Sequence, residues 1–217
     1  MIRAALFDMD RTLLSRESAS LYVRYQRRIG EATTRDLLRT LGWVAQYTLG
    51  ILDHMAVATK VLRTLEGQAE AAMIERCEKW FASDVEQYIT EGGRRAVASH
   101  LAAGDVCAIV TGASLYASRP LAHRLAIPHV VATEFEVDAG GLFTGRARDP
   151  LCIGEGKLAR ALAFVKERGL ALEEATFYTD SITDLPLLER VREPIVVNPD
   201  PRLARVARQR GWTILRW

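Results

Sequence analysis

At 217 residues, 49% hydrophobic and 26% charged, the chain is long enough for one sizeable core plus a smaller unit, and its composition excludes a disordered protein. Its 29 basic and 27 acidic residues are interspersed and leave a formal net charge of +2, so no electrostatic footprint for a nucleic-acid partner exists. Cys77, Cys107 and Cys152 are odd in number and widely spaced, and the four histidines form no metal-spaced cluster, which argues against a disulfide framework and a zinc site.

The first predicted element is a strand over residues 3–7, apolar throughout and therefore expected to be buried on both faces. It delivers two carboxylates, Asp8 and Asp10, at its end. Alternate strand residues point to opposite faces, so the pair stays together at the mouth of a sheet only if the backbone turns there. A strand this close to residue 1 leaves no room for a secretory leader, and cytoplasmic residence is the expectation. Over residues 16–88 the pattern is helical, with Tyr22, Leu37, Leu41, Val44, Leu62, Leu65, Ile74, Trp80 and Phe81 as apolar markers between charges. This reads as an all-helical inserted domain entered near Arg16 and left near Glu91-Gly92-Gly93, where the paired glycines are expected to supply hinge freedom. The longest uncharged run, between Arg39 and Asp53, includes Trp43, Tyr47 and Leu49 and is shorter than the roughly 20 residues a membrane span needs, so no stable membrane insertion is expected.

Beyond the insert, helices are predicted over 94–103, 116–125, 157–168, 183–191 and 201–210. Strands are predicted over 105–110, 129–133, 175–178, 194–197 and 213–215. A glycine-rich hairpin interrupts the rhythm at 134–148. Regular alternation argues for an α/β main domain, a doubly wound parallel sheet built from residues 1–15 and 89–217. Arg202, Arg205, Arg208 and Arg210 read as the solvated face of its last helix.

Three predicted strand ends carry chemistry. Asp8 and Asp10 follow the first; Thr111-Gly112-Ala113-Ser114 follows the second and offers a hydroxyl with backbone donors; Asp180-Ser181-Ile182-Thr183-Asp184 follows the strand at 175–178. Lys157, in Gly154-Glu155-Gly156-Lys157, opens a helix, where the dipole disfavours a cation unless an anion is close. Carboxylates, hydroxyl and cation together are the inventory for holding Mg²⁺ and a phosphoryl group. Crowded carboxylates raise one another's pKa, so one can attack while the other keeps a proton. The Gly-Glu-Gly-Lys run lacks the Ser or Thr and the earlier glycine of a nucleotide phosphate loop, and its loose match through Ala159 to a dinucleotide fingerprint follows no convincing strand.

In this order the four segments resemble the motifs of the haloacid dehalogenase superfamily of phosphatases, over nearly the whole length. The Thr179-Asp180-Ser181-x-x-Asp184 form, the 134–148 segment and the early insert look closest to its phosphoserine-phosphatase-like branch. The resemblance implies that residues 16–88 form a helical cap over the site. It implies Asp8 as nucleophile and Asp10 as general acid and base, with Thr111, Gly112, Ala113 and Lys157 on the phosphoryl group. Mg²⁺ is assigned to Asp8, to Asp10 through its backbone carbonyl, to Asp180 through its side chain, and to Asp184 through water or in support of a direct ligand. Glu17 stands where such enzymes meet a substrate amino group. Where they carry an arginine for the substrate carboxylate, this chain has Thr59-Lys60-Val61, with Lys60 or Arg63 as substitutes, and Arg11 is bulkier than the small residue common at its position. The implied partner is a small phosphomonoester: phosphoserine, a related amino-alcohol phosphate such as histidinol phosphate, or a lipid head-group phosphate. Phosphotransfer to an alcohol and a non-catalytic phosphate-binding module stand as alternatives, and the oligomeric state stays open.

Overall fold

The computed structural model describes residues 2–35, 38, 42 and 62–217. In chain order its main elements are β1 (Ala4–Phe7), α1 (Ser18–Arg28), α2 (Glu70–Trp80), α3 (Glu91–Ala102), β2 (Val106–Ser114), α4 (Leu115–Arg124), β3 (His129–Thr133), β4 (Phe135–Val137), β5 (Phe143–Ala147), α5 (Glu155–Glu167), β6 (Thr176–Thr179), α6 (Leu185–Leu188), β7 (Glu193–Val197), α7 (Pro201–Arg210) and β8 (Thr213–Leu215).

Six strands form one parallel sheet in the order β3-β2-β1-β6-β7-β8. All four residues of β1 are buried, as a continuous apolar run in the middle of such a sheet requires, and Phe7 lies opposite both Ile109 and Tyr178. Successive side chains feed opposite layers. Phe7 and Ile109 join Val97, Leu121 and Leu125, and that cluster continues into Leu21, Tyr25, Trp80 and Phe81 of the insert. Leu6 and Ala108 face the other way, toward Phe164, Leu187 and Leu203. Chain order reverses between β1 and β6, so a crevice opens at the carboxyl ends of those two strands.

Two predicted boundaries move. β2 runs on through Thr111 to Ser114, with a shift in its register against β3 between those residues, rather than ending at residue 110. Gly112 and Ala113 are small enough for the irregularity, and Ser114 then caps α4 by accepting from the Ala117 N–H at 3.2 Å. The helix expected over 183–191 is only a tight turn, Ile182–Asp184, followed by α6, because Leu187 and Leu188 reach the core within one turn.

Within the insert, α1 and α2 are helical as expected. Leu37, Leu41 and Val44, the run with Trp43, Tyr47 and Leu49, and Thr59-Lys60-Val61 lie outside the described residues. Where the chain leaves and re-enters the sheet its two passes are stitched together: Leu14 and Ile89 form an antiparallel bridge, the Ser15 N–H donates to Tyr88 O at 2.8 Å, and the Thr90 N–H donates to Leu13 O at 2.9 Å. Gly92 and Gly93 are not hinges. Both are buried in the first turn of α3, where a Cβ on Gly92 would lie 2.2 Å from the Trp217 Cβ and one on Gly93 would lie 2.6 Å from the Thr90 hydroxyl. They serve close packing. On the far side, the β4–β5 hairpin holds the insert by backbone bonds, Gly67 N–H to Phe143 O at 2.9 Å and Phe143 N–H to Gln68 O at 3.0 Å. On α7 the four arginines line the side away from the buried Leu203 and Ala207. No helix among the described residues is long and apolar enough to cross a membrane.

Candidate active site

The site begins where β1 stops. The Asp8 N–H still donates to Tyr178 O at 2.8 Å, and the chain then makes a single wide turn over Met9–Leu13, closed by the Leu14 N–H on Met9 O at 2.9 Å. Arg11 takes a left-handed conformation in it, with φ at 54°. The turn keeps both carboxylates at the mouth. Asp10 accepts from the Ser18 N–H at 2.9 Å and the Ser18 hydroxyl at 2.8 Å, at the start of α1.

Lys157 reaches the same place from the other layer. Gly156 lets the first turn of α5 press against the preceding loop, since a Cβ there would lie 2.0 Å from Leu151 O. Lys157 is consequently interior, only 3% exposed. Its Nζ donates to Asp8 Oδ1 at 2.9 Å and to Asp184 Oδ2 at 2.7 Å, and the Thr179 hydroxyl donates to that same Asp184 oxygen at 2.6 Å. The other Asp184 oxygen, Oδ1, is buried with no hydrogen-bond partner among the described residues. Asp180 meets Arg11, whose Nε lies 3.1 Å from Asp180 Oδ2 and 3.9 Å from Glu17 Oε1.

Electrostatics distinguish the carboxylates. Burial pushes Asp8 up to about 7; Lys157 pulls against it while Asp184 adds to it. Burial also pushes Asp10 up to about 7, with Glu17 adding and the two Ser18 hydrogen bonds opposing. Asp180 is raised well above the ordinary carboxylate range, by burial first and then by Asp8. Both carboxylates are thus raised to about 7, with Lys157 the main charge opposing the rise at Asp8 and Glu17 the main charge adding to it at Asp10. Among the described residues no three His, Cys, Asp or Glu side chains close into a ready ligand set, since Lys157 and Arg11 lie between the carboxylates. Mg²⁺ needs no such cage: it takes one or two carboxylates, waters and a substrate phosphate. The donors are hard oxygens, the carboxylates are crowded, and Asp184 Oδ1 lacks a partner, all of which fit that ion.

Thr111 is buried in β2, one residue beyond the level of Asp8, given Phe7 opposite Ile109. The Ala113 N–H, expected to face a phosphoryl oxygen, instead donates to the Thr111 hydroxyl oxygen at 3.2 Å, because the irregularity in β2 folds it back. The Gly112 carbonyl accepts from the Thr133 hydroxyl at 3.0 Å. Glu17 stands at the N-cap position of α1 but makes no side-chain capping bond; its carboxylate faces Arg11 instead. Burial raises its pKa, Arg11 opposes this and Asp8 adds to it. Of the proposed arginine substitutes, Lys60 lies outside the described residues and Arg63 packs its backbone against Gly145. All three cysteines are free and buried, and burial pushes the Cys152 thiol up to about 12, which suits packing rather than nucleophilic attack.

One supporting residue was not anticipated. Asp200 accepts from the Ile182 N–H at 2.7 Å with one oxygen and from the Arg202 and Leu203 N–H groups with the other, tying the Asp180 loop to the start of α7. An aspartate followed by proline at a helix start was the available signal.

Residues 5–189 match the family model described as haloacid dehalogenase-like hydrolase. A histidinol-phosphatase of Neisseria meningitidis serogroup C (strain 8013) is 29% identical over 219 residues, spanning 99% of both chains. Phosphoserine phosphatase SerB1 of Mycobacterium tuberculosis (strain ATCC 25618 / H37Rv) is 32% identical over 215 residues, 97% of this chain and 70% of that one. Among solved structures, a protein of unknown function from Bordetella pertussis Tohama I superposes with a TM-score of 0.88 at 32% identity, covering 99% of each chain. A substrate-bound phosphoserine phosphatase complex superposes with a TM-score of 0.72 at 20% identity, over 99% of this chain and 92% of that one, a likeness of fold. The chain belongs to the haloacid dehalogenase-like hydrolases and is a phosphatase of their phosphoserine-phosphatase-like branch.

Proposed function

We propose that the chain hydrolyses a small phosphomonoester bearing a free amino group, through an aspartyl-phosphate on Asp8. The observation that carries this reading is the buried contact of Lys157 Nζ with Asp8 Oδ1 at 2.9 Å, at the end of β1, with Asp184 as the second partner at 2.7 Å. Lys157 favours the ionised form of Asp8 against the rise that burial imposes and aims it, and Asp8 attacks phosphorus in line. Asp10, kept protonated longer by Glu17, gives its proton to the departing alcohol oxygen. It then takes a proton from water, which attacks the phosphorus and releases inorganic phosphate and free Asp8. The Thr111 hydroxyl and the Gly112 backbone flank the phosphoryl group, with Lys157 supplying positive charge. The Asp8 and Asp180 carboxylates and the Asp10 backbone carbonyl would hold Mg²⁺, with Asp184 contributing directly or through water. When bound, that cation neutralises the crowded carboxylates and the charge developing on the phosphoryl oxygens.

Residues 16–88 act as the cap over this centre, and residues 1–15 and 89–217 as the catalytic domain. Glu17, at the mouth and free of any capping duty, suits an ammonium group on the substrate. The similarity to a histidinol-phosphatase and to a phosphoserine phosphatase supports that class, since both names denote amino-alcohol phosphates. The apolar character of residues 16–88, which raised a lipid phosphate as a substrate, rests in large part on residues outside the described ones. The test is phosphate release from phosphoserine, histidinol phosphate and a lipid phosphate, with Mg²⁺ or EDTA, beside Asp8→Asn. Metal-dependent release that ranks amine-bearing esters first and vanishes in the variant is expected. Release that survives Asp8→Asn overturns the mechanism, and none from any ester returns the protein to a phosphate-binding role.

A further inference from the structure

We infer that Trp217 is a positioning residue for the turn that carries Asp10, acting through two consecutive backbone carbonyls; this rests on the hydrolytic reading above. The indole Nε1–H donates to Thr12 O at 2.9 Å. The backbone of Trp217 is itself clamped by Asn198: the Trp217 N–H donates to Asn198 Oδ1 at 3.3 Å, and Asn198 Nδ2 donates to Trp217 O at 2.9 Å. The same Asn198 nitrogen also lies 3.4 Å from Arg11 O. One pair of residues, distant in the chain, therefore engages the carbonyls of both Arg11 and Thr12, the two residues directly after Asp10.

Three features say that this engagement has a purpose beyond packing. The turn contains a left-handed arginine, a conformation that persists only where the surroundings over-determine it. Asn198 is left-handed too, with φ at 42°, which brings its amide group back onto the two segments. Gly92 gives up its side chain entirely to Trp217, and the Tyr178 ring lies beside the Trp217 ring, tilted by 31° with centroids 5.9 Å apart. Trp217 is only partly buried, and its polar atoms are spent on the turn and on Asn198. Thr90 supplies a second donor to Thr12 O at 3.1 Å, so the hold on this carbonyl is shared between the N-cap of α3 and Trp217. A general acid displaced by a fraction of an ångström loses much of its rate, which is why a bond to backbone two residues away matters for turnover.

The decisive variant is Trp217→Phe, which keeps an aromatic ring against Gly92 and Tyr178 and removes only the N–H donor. Two readouts are taken: kcat and KM on the best phosphomonoester, and hydrogen exchange at the Leu14 amide, which closes the turn onto Met9 and reports on it whether or not the protein turns over. The expected result is a fall in kcat of about tenfold with KM within about twofold, unchanged melting temperature, and faster exchange at Leu14. Gly92→Ala, which pushes the ring away without touching its donor, is expected to reproduce both changes. Unchanged Leu14 exchange overturns the inference, as does unchanged kcat with a lowered melting temperature, the signature of packing alone. If wild type releases phosphate from no ester while Leu14 exchange still rises in Trp217→Phe, the hold on the turn stands and the hydrolytic reading falls.

Discussion

The inner and outer halves of the site are built on opposite terms. Inside, Lys157 lies between Asp8 and Asp184, almost without solvent, with Thr179 adding a further donor. Outside, Arg11 spans Asp180 and Glu17 with its side chain 43% exposed, a pairing that water screens and a ligand can displace. The contrast separates two tasks. A buried charge pair fixes geometry that every turnover reuses, whereas an exposed one can be traded for contacts to a particular substrate.

The comparison breaks most visibly at Asp8. Asp8→Asn is expected to lower phosphate release about a thousandfold or more while circular dichroism shows an unchanged fold. Lys157→Met comes next: with Asp8 and Asp184 left buried and uncompensated, a stability loss of about 3–5 kcal/mol is expected from urea unfolding at neutral pH. A smaller effect sharpens the metal assignment. Burial carries Asp8 and Asp10 to about 7, above the ordinary 3.8, so the folded chain keeps protons that the unfolded chain releases between those values. Without metal, stability therefore falls as pH rises through that window. Mg²⁺ is expected to raise the melting temperature by several degrees near pH 8 and hardly at all near pH 4, where protons hold its place. A gain independent of pH removes Asp8 as its carboxylate ligand. The mildest change is on the outer half: Glu17→Gln is expected to raise KM about fivefold for amine-bearing esters and to leave KM for amine-free esters unaffected.

What could be read in advance divides along similar lines. The strand ends with Asp8, Thr111 and Asp180 were legible because short apolar runs terminated by polar clusters mark parallel strands directly, and the alternation of helix and strand then fixes the sheet. Lys157 was legible through a conflict, a cation in a first helical turn. Contacts made across the chain were not. The glycines at 92 and 93 looked like a hinge because sequence shows conformational freedom and hides the Trp217 ring that needs the space. The Ala113 N–H looked available because nothing local predicts that β2 continues past residue 110 and folds it onto Thr111. Asp200 and Trp217 lie far from the motifs they support, and no periodicity links them to Asp180 or Thr12.

The position of β1 in the middle of the sheet also has a consequence for synthesis. Its ladder partners are Val106 in β2 and Thr176 in β6, both made long after it. On the ribosome, the strand that leads into Asp8 waits as an unpaired apolar segment while residues 16–88 are translated, then waits again for β6, the strand that delivers Asp180. Contacts of such sequence separation close slowly and expose sticky intermediates. A nascent chain arrested before β6 holds Asp8 in a half-built sheet, so the growing polypeptide assembles its candidate site and gains its protection from aggregation in the same late event.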